Sequence, residues 1–459
     1  MSIALDSPSR LNTRQVPGWM LALATVIATV SLSAWAGELS RPLFVIGCAV
    51  TGWYAWRQGP GSHLQAALVL FALAPFVRRI VDLSAGYDPF GLMLTGPLLA
   101  ILAPAKRLLR TSELHVLPGF RVYPLIIVGG CVAYAAVLSV LQADFTNAAS
   151  GALKWLAPLL YAAVLIESSE RDQMIEAATS AFLVILPVIG LYGIYQYIDP
   201  PDWDRYWMQF APILSAGQPI PYGVRTFSTM NGPASFATFT AIGLMLVCFC
   251  RARWHSLLLA LPAAIGVLLS LYRTAWISLA VGVLFCLLFP ATRKRATGIV
   301  LGGFIVLLLA ATLTPFGEVI GDRLGTLSEG SQDGSAQARL EQFVTLWNQW
   351  DSSLFGVGFT FADVGSAGAM PVDGMIIACW LSMGIVIGGF CLAGLVWAAA
   401  NALNLSWTER SRESIIIGAL SLGALAQLPL ANITSGENGF LFWTFAVLLT
   451  NRPSPRVAR

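Results

Sequence analysis

Runs of about 20 apolar residues recur along nearly the whole chain, and a helix needs roughly that length to cross a hydrocarbon core about 30 Å thick. The runs are continuous rather than alternating, and an open sheet edge cannot face lipid, so the spans are read as helices and not as barrel strands. Composition agrees. Of 459 residues 56% are hydrophobic and only 11% charged, with a mean hydropathy of +0.71. No water-soluble domain of this size carries such a balance. The expectation is an all-α polytopic membrane protein forming a single membrane domain over 1–459.

Apolar runs bounded by Pro, Gly and charge give about fourteen spans, starting near Trp19, Leu39, Leu64, Pro89, Val122, Ala148, Gln173, Pro233, His255, Thr274, Ala296, Val372, Ser414 and Asn438. The start of the chain, Met1 to Pro17, is polar with Arg10 and Arg14 and leads into a full-length span, so no cleavable signal is expected and the N-terminus is placed inside. Eighteen of the 27 basic residues then fall on the cytoplasmic side, which nets +10, while the outer side nets −7. This is the asymmetry that orients membrane proteins, and it leaves both termini cytoplasmic.

Nearly every connection is short except two outer ones, 198–232 and 315–371. Long loops on a rigid scaffold are where function concentrates. The first is rich in Trp, Tyr and Pro and predicts a short helix over Trp203 to Phe210. In the second, Leu340, Phe343, Trp347 and Trp350 recur at helical spacing in AQARLEQFVTLWNQW, which predicts an amphipathic helix along the membrane surface. The seven cysteines lie within apolar runs without Cys-x-x-Cys spacing and are read as small packing residues. His63, His115 and His255 all fall on the inner side, and no histidine is left for chemistry outside.

Arginines on the outer face run against the charge bias and ask for a reason. Arg225 in the first long loop, Arg273 in the hairpin SLYRTAW and Arg339 at the start of the amphipathic helix offer planar forks of donors suited to a diphosphate. The plain alternative is headgroup contact or pairing with a nearby carboxylate. Arg78 and Arg79 in APFVRRIVD are read mainly as headgroup contacts, and the pair Asp202 and Asp204 as turn residues rather than metal ligands. Asp373, just before a span, is either a general base or an acid favoured at a helix start. No metal or other cofactor is expected.

The succession YGVRTFSTMNGPASFA, SLYRTAWISLAVG, a long outer loop ending LFGVGF, and an acid before the Gly-rich span PVDGMIIACWLSMGIVIGG resembles the O-antigen ligase and polysaccharide polymerase superfamily over roughly Tyr222 to Phe390. That resemblance implies a GT-C-like, metal-independent glycosyltransferase of a bacterial inner membrane, acting on an undecaprenyl-diphosphate-linked glycan at the periplasmic face. Arg225, Arg273 and Arg339 match the arginines that bind the donor diphosphate, with Arg339 and Asp373 as the catalytic pair. Trp203, Trp207, Tyr222 and Trp347 are candidates for stacking on sugar rings, although an interfacial aromatic belt accounts for them equally. Asp373 stands where a typical ligase has histidine, which tilts the expectation towards polymerisation of exopolysaccharide or O-antigen repeat units. Ligation of glycan to lipid A core in lipopolysaccharide synthesis is the alternative, and a flippase for the same lipid-linked glycans is a second. Expected partners are the lipid-linked glycan, membrane lipids, a chain-length regulator and export proteins, with no nucleic acid.

Overall fold

The structure is a computed structural model that describes residues 16–108, 119–166, 171–211, 213–251, 254–313, 334–348, 354–359 and 374–448. Among them the secondary structure is helical, apart from one isolated bridge between Gly217 and Val224. The protein is all-α and polytopic. Seven stretches are long and apolar enough to cross a membrane: Gly18–Gln58, Pro60–Ala85, Val122–Leu141, Phe145–Ile166, Arg171–Ile198, Pro233–Cys250 and Met375–Glu409.

In chain order the helices are α1 (Gly18–Ala36), α2 (Ser40–Gln58), α3 (Pro60–Ala85), α4 (Thr95–Leu102), α5 (Gly119–Leu141), α6 (Phe145–Ile166), α7 (Arg171–Ile198) and α8 (Asp202–Phe210). They continue as α9 (Pro233–Cys250), α10 (Trp254–Leu269), α11 (Arg273–Leu287), α12 (Pro290–Leu313), α13 (Gly334–Asn348), α14 (Met375–Glu409), α15 (Arg412–Gln427) and α16 (Gly436–Leu448). Each of the fourteen sequence runs meets a helix, but not all of them are long enough for a full crossing. The run from Pro89 is the clearest difference: α4 has eight residues and continues as a 3-10 turn over Ala103–Arg107. Its two prolines, Pro97 and Pro104, remove amide donors that an uninterrupted helix would need.

Lipid tails are as apolar as leucine, so close backbone approach must do what water exclusion does in a soluble core. Gly190 shows this at the crossing of α7 and α10, where an added Cβ would stand 2.3 Å from the Ala263 nitrogen. Gly52 on α2 faces the Ala100 carbonyl of α4 at the same 2.3 Å. Alternation of direction sorts the connections to two ends. At one end Arg171 of α7 pairs with Glu409 of α14 at 2.9 Å, Arg251 pairs with Glu176, and Arg295 donates to the Phe249 carbonyl. The end of α3, α8 and the segment before α9 meet at the other.

The motif LFGVGF has a structural explanation. Helix α14 is broken at Gly384, whose φ of 76° and ψ of 175° are not helical. Residues 354–359 fill the break: the Val357 N–H donates to the Leu381 carbonyl at 2.8 Å, and Phe359 N–H to Ser139 Oγ of α5 at 2.6 Å. A freed backbone group at membrane depth must find such a partner. Gly356 (φ 75°) approaches the Gly384 backbone so closely that a Cβ would stand 2.4 Å from its nitrogen. The Phe359 side chain, 2% exposed, is sealed between Gly151 and Trp155 of α6.

Candidate functional site

Beside the middle of α3 lies a cavity of about 590 Å³. Four of the helices around it begin there: α9 contributes Pro233, Ala234 and Ser235, α11 Arg273 and Thr274, α14 its preceding Gly374, and α16 Gly436, Glu437 and Asn438. Each helix start carries unsatisfied N–H groups and the positive end of its dipole, so their convergence favours an anion. Among the described residues three cations add to it, Arg225, Arg273 and Lys154, against the one carboxylate of Glu437. The rest of the lining includes apolar groups: Phe71, Ala74 and Pro75 of α3 with Leu94, Pro97 and Leu98 at α4.

Arg225 is aimed by its backbone surroundings. Its N–H donates to the Ala216 carbonyl at 2.9 Å, and its guanidinium donates from Nε to Ser270 O at 3.3 Å and from Nη2 to Leu271 O at 3.0 Å. Leu271 has a φ of 53°, a left-handed conformation costly for a branched residue, and it turns α10 into α11 two residues before Arg273. The turn therefore holds Arg225 and presents Arg273 together, as the sequence reading required.

Behind this pair stands a buried ionic knot. Arg79, 1% exposed, faces Asp204 of α8 with Nε 3.1 Å from Oδ1, and donates to the carbonyls of Ser228 at 2.5 Å and Met230 at 3.2 Å. Oδ2 of Asp204 accepts from Tyr192 Oη at 2.8 Å and Gln196 Nε2 at 2.6 Å, and Gln196 Oε1 accepts the N–H groups of Phe227 and Ser228. Arg78 and Arg41 both pair with buried Asp82, at 3.3 and 3.1 Å. The expected headgroup role of Arg78 and Arg79 is thus replaced by an internal one, because each guanidinium finds carboxylate and carbonyl partners inside the protein. The same applies to Asp204, which was read as a turn residue and is a fully buried ion-pair partner; Asp202 beside it is exposed.

The foreseen helix at Trp203–Phe210 is present as α8, and its tryptophans serve the knot. Trp207 is 1% exposed and packs on Phe227 and the Arg79 guanidinium, and Trp203 Nε1 donates to Tyr192 Oη at 2.7 Å. Trp207 presents no face to a sugar in this arrangement. Tyr222 (55% exposed) and Trp347 (59%) do have open faces, although neither lines the cavity. Trp347 belongs to α13, where Leu340 and Phe343 are also exposed while Leu346 packs on Ile377 and Trp380 of α14. The Arg339 side chain, Trp350 and Asp373 lie outside the described residues; Gly374, which follows Asp373 in the chain, is a wall residue of the cavity.

Lys154 and Glu437 were not assigned a role from the sequence. The signal for Lys154 was its lone cationic side chain within an apolar run; Glu437, in SGENGF, is unremarkable until α16 turns it into the cavity.

The molecule is thus a multi-pass helical membrane protein with an anion-attracting, partly apolar cavity at one end. The family model for O-antigen ligase matches residues 256–386, from the start of α10 to just past the break in α14, less than a third of the chain. Over that stretch the chain is O-antigen ligase-like, which bears out the superfamily resemblance, and members of that family are glycosyltransferase-like enzymes. No curated relative matches the chain.

Proposed function

We propose that the cavity binds the diphosphate of an undecaprenyl-diphosphate-linked glycan and that the protein polymerises such repeat units on the extracytoplasmic face of a bacterial inner membrane. The observation that carries this reading is the union of two kinds of wall in one cavity: cations and helix starts on the one hand, and apolar side chains of α3 and α4 on the other. A soluble anion would use only the first wall. An amphiphile with a charged head and a hydrocarbon tail uses both.

In the reaction, an acceptor hydroxyl attacks the anomeric carbon while the bond from that carbon to the diphosphate oxygen breaks. The electron pair leaves with the diphosphate, and Arg225 and Arg273, with Arg339 from the second loop, stabilise that charge. The hydroxyl proton passes to the Asp373 carboxylate, the group that stands where a typical ligase has histidine. Removal of the base is expected to cost on the order of 100- to 10,000-fold in rate. Asp373→Asn should therefore lose most activity, whereas a residue that only favours a helix start would tolerate asparagine.

The deciding experiment uses purified protein with undecaprenyl-diphosphate repeat units as the sole substrate. Polymerisation gives a ladder of longer lipid-linked glycans without lipid A core, metal or nucleotide sugar. Transfer only when lipid A core is supplied would replace the reading by ligation, and translocation of the intact unit across a liposome, with no transfer, by transport. Orientation is checked separately: a cysteine at exposed Gln218 in a cysteine-free background should react with a membrane-impermeant maleimide in intact spheroplasts. Reaction only after lysis would invert the topology.

A further inference from the structure

Ionisable groups within membrane spans are expensive and mark functional sites by default. Lys154 lies nine residues into α6, about 13 Å from its start, yet it has no hydrogen bond or ion pair among the described residues. It lines the cavity from a wall built by α6 and α16, separate from the α10–α11 turn that carries Arg225 and Arg273. Glu437, the other charge of this wall, is near enough to act on Lys154 electrostatically but not within ion-pair distance. An ammonium and a carboxylate thus share a wall without being joined, beside two guanidinium groups and four helix starts.

We propose that Lys154 is a further ligand of the departing diphosphate and that Glu437 offsets its charge while the cavity holds no anion. This rests on the function proposed above. The donor diphosphate is a diester with two negative charges. When the bond to the anomeric carbon breaks, the electron pair stays on the phosphate oxygen and the charge there grows by one, while the acceptor proton goes to the base. A cation that meets this added charge lowers the barrier to transfer more than it tightens donor binding. Glu437 acts in the opposite sense, since a fixed carboxylate near a growing negative charge weakens its retention and eases release of undecaprenyl diphosphate.

The two residues therefore have opposite expected effects, which a merely structural pair would not show. With the undecaprenyl-diphosphate repeat unit as substrate, Lys154→Met should lower kcat on the order of 100-fold with little change in KM, and should weaken inhibition by added undecaprenyl diphosphate. Lys154→Arg should restore most of the loss. Glu437→Gln should strengthen inhibition by undecaprenyl diphosphate. Thermal melting of each purified variant reports whether the fold is retained. Equal damage from Lys154→Met and Glu437→Gln with lowered melting temperatures, or kcat within twofold of the parent for Lys154→Met, would overturn the assignment. If Lys154→Met is silent while Arg225→Ala and Arg273→Ala are inactive, only this inference fails; if all three are silent, the diphosphate site itself is wrong.

Discussion

Two groups of cations sit at the same end of this protein, and they differ in what surrounds them. Around Arg78 and Arg79 every direction is filled: Asp82 and Asp204 supply counter-charge, the carbonyls of Asp88, Ser228 and Met230 accept hydrogen bonds, and the rings of Tyr87, Phe227 and Trp207 cover the guanidinium faces. Arg225, Arg273 and Lys154 line a cavity together with four helix starts and, among the described residues, the carboxylate of Glu437, and Arg225 is braced by the carbonyls of Ser270 and Leu271. The same residue type therefore does two jobs. In the first group arginine is a fastener, tying α3, α7 and α8 to the segment 225–231. In the second it is held towards a space of molecular size. Adjacent position in a membrane map says little about which job a charge has; whether the side chain lines the cavity decides.

The largest expected effect tests the fastener. Breaking a buried ion pair leaves the other charge uncompensated and costs about 3–5 kcal/mol. Asp204→Ala should therefore deplete the folded protein, read as loss of the monodisperse peak when detergent extracts are sized by chromatography. Arg79→Met should do the same, and Arg79→Met with Asp204→Leu together should recover part of the loss, since two apolar groups leave no bare charge. A well-folded Asp204→Ala protein would show that the knot is dispensable and dissolve the contrast.

Next in size are the cavity arginines. Arg225→Ala and Arg273→Ala should leave the folded fraction unchanged and lower the rate of polymer formation by roughly 30- to 1000-fold, equivalent to about 2–4 kcal/mol of transition-state stabilisation. Lysine should rescue poorly at either position, because an ammonium cannot present a planar fork. Loss of folded protein from either alanine variant would move these arginines into the fastening group.

The contrast also explains what could be read from the sequence. Length and continuity of the apolar runs determine the helices, because backbone groups in lipid have no other way to be satisfied. The union of Arg225 with Arg273 was legible from the order of motifs, α13 from helical spacing, and α8 from the aromatic-rich stretch of the first long loop. The jobs of Arg79 and Asp204 were not legible, since 125 residues separate them and neither sequence neighbourhood names the other. Lys154 and Glu437 are further apart still, and only the packing of α6 on α16 makes one wall of them. The length of α4 was overread for a related reason: apolar composition measures affinity for the membrane interior, not whether the helix is continuous, and Pro97 and Pro104 interrupt it.

The smallest expected effect separates the aromatic residues of the two groups. Tyr222 is 55% exposed, held in a left-handed conformation with φ 59° by its N–H bond to the Tyr197 carbonyl, and its ring meets Tyr197 edge-on. Its outer face is free to stack on a sugar, an interaction of about 1 kcal/mol by analogy with aromatic pairs. Tyr222→Ala keeps the same backbone and should raise KM for the lipid-linked repeat unit about fivefold, with kcat and melting temperature little changed. Trp207 is the control from the knot. Its Nε1 has no hydrogen-bond partner among the described residues, so Trp207→Phe removes a buried donor that contributes nothing and should leave KM where it was. A raised KM from Trp207→Phe with none from Tyr222→Ala would mean that glycan reaches the knot, and that the first long loop opens during catalysis rather than standing as a fixed wall.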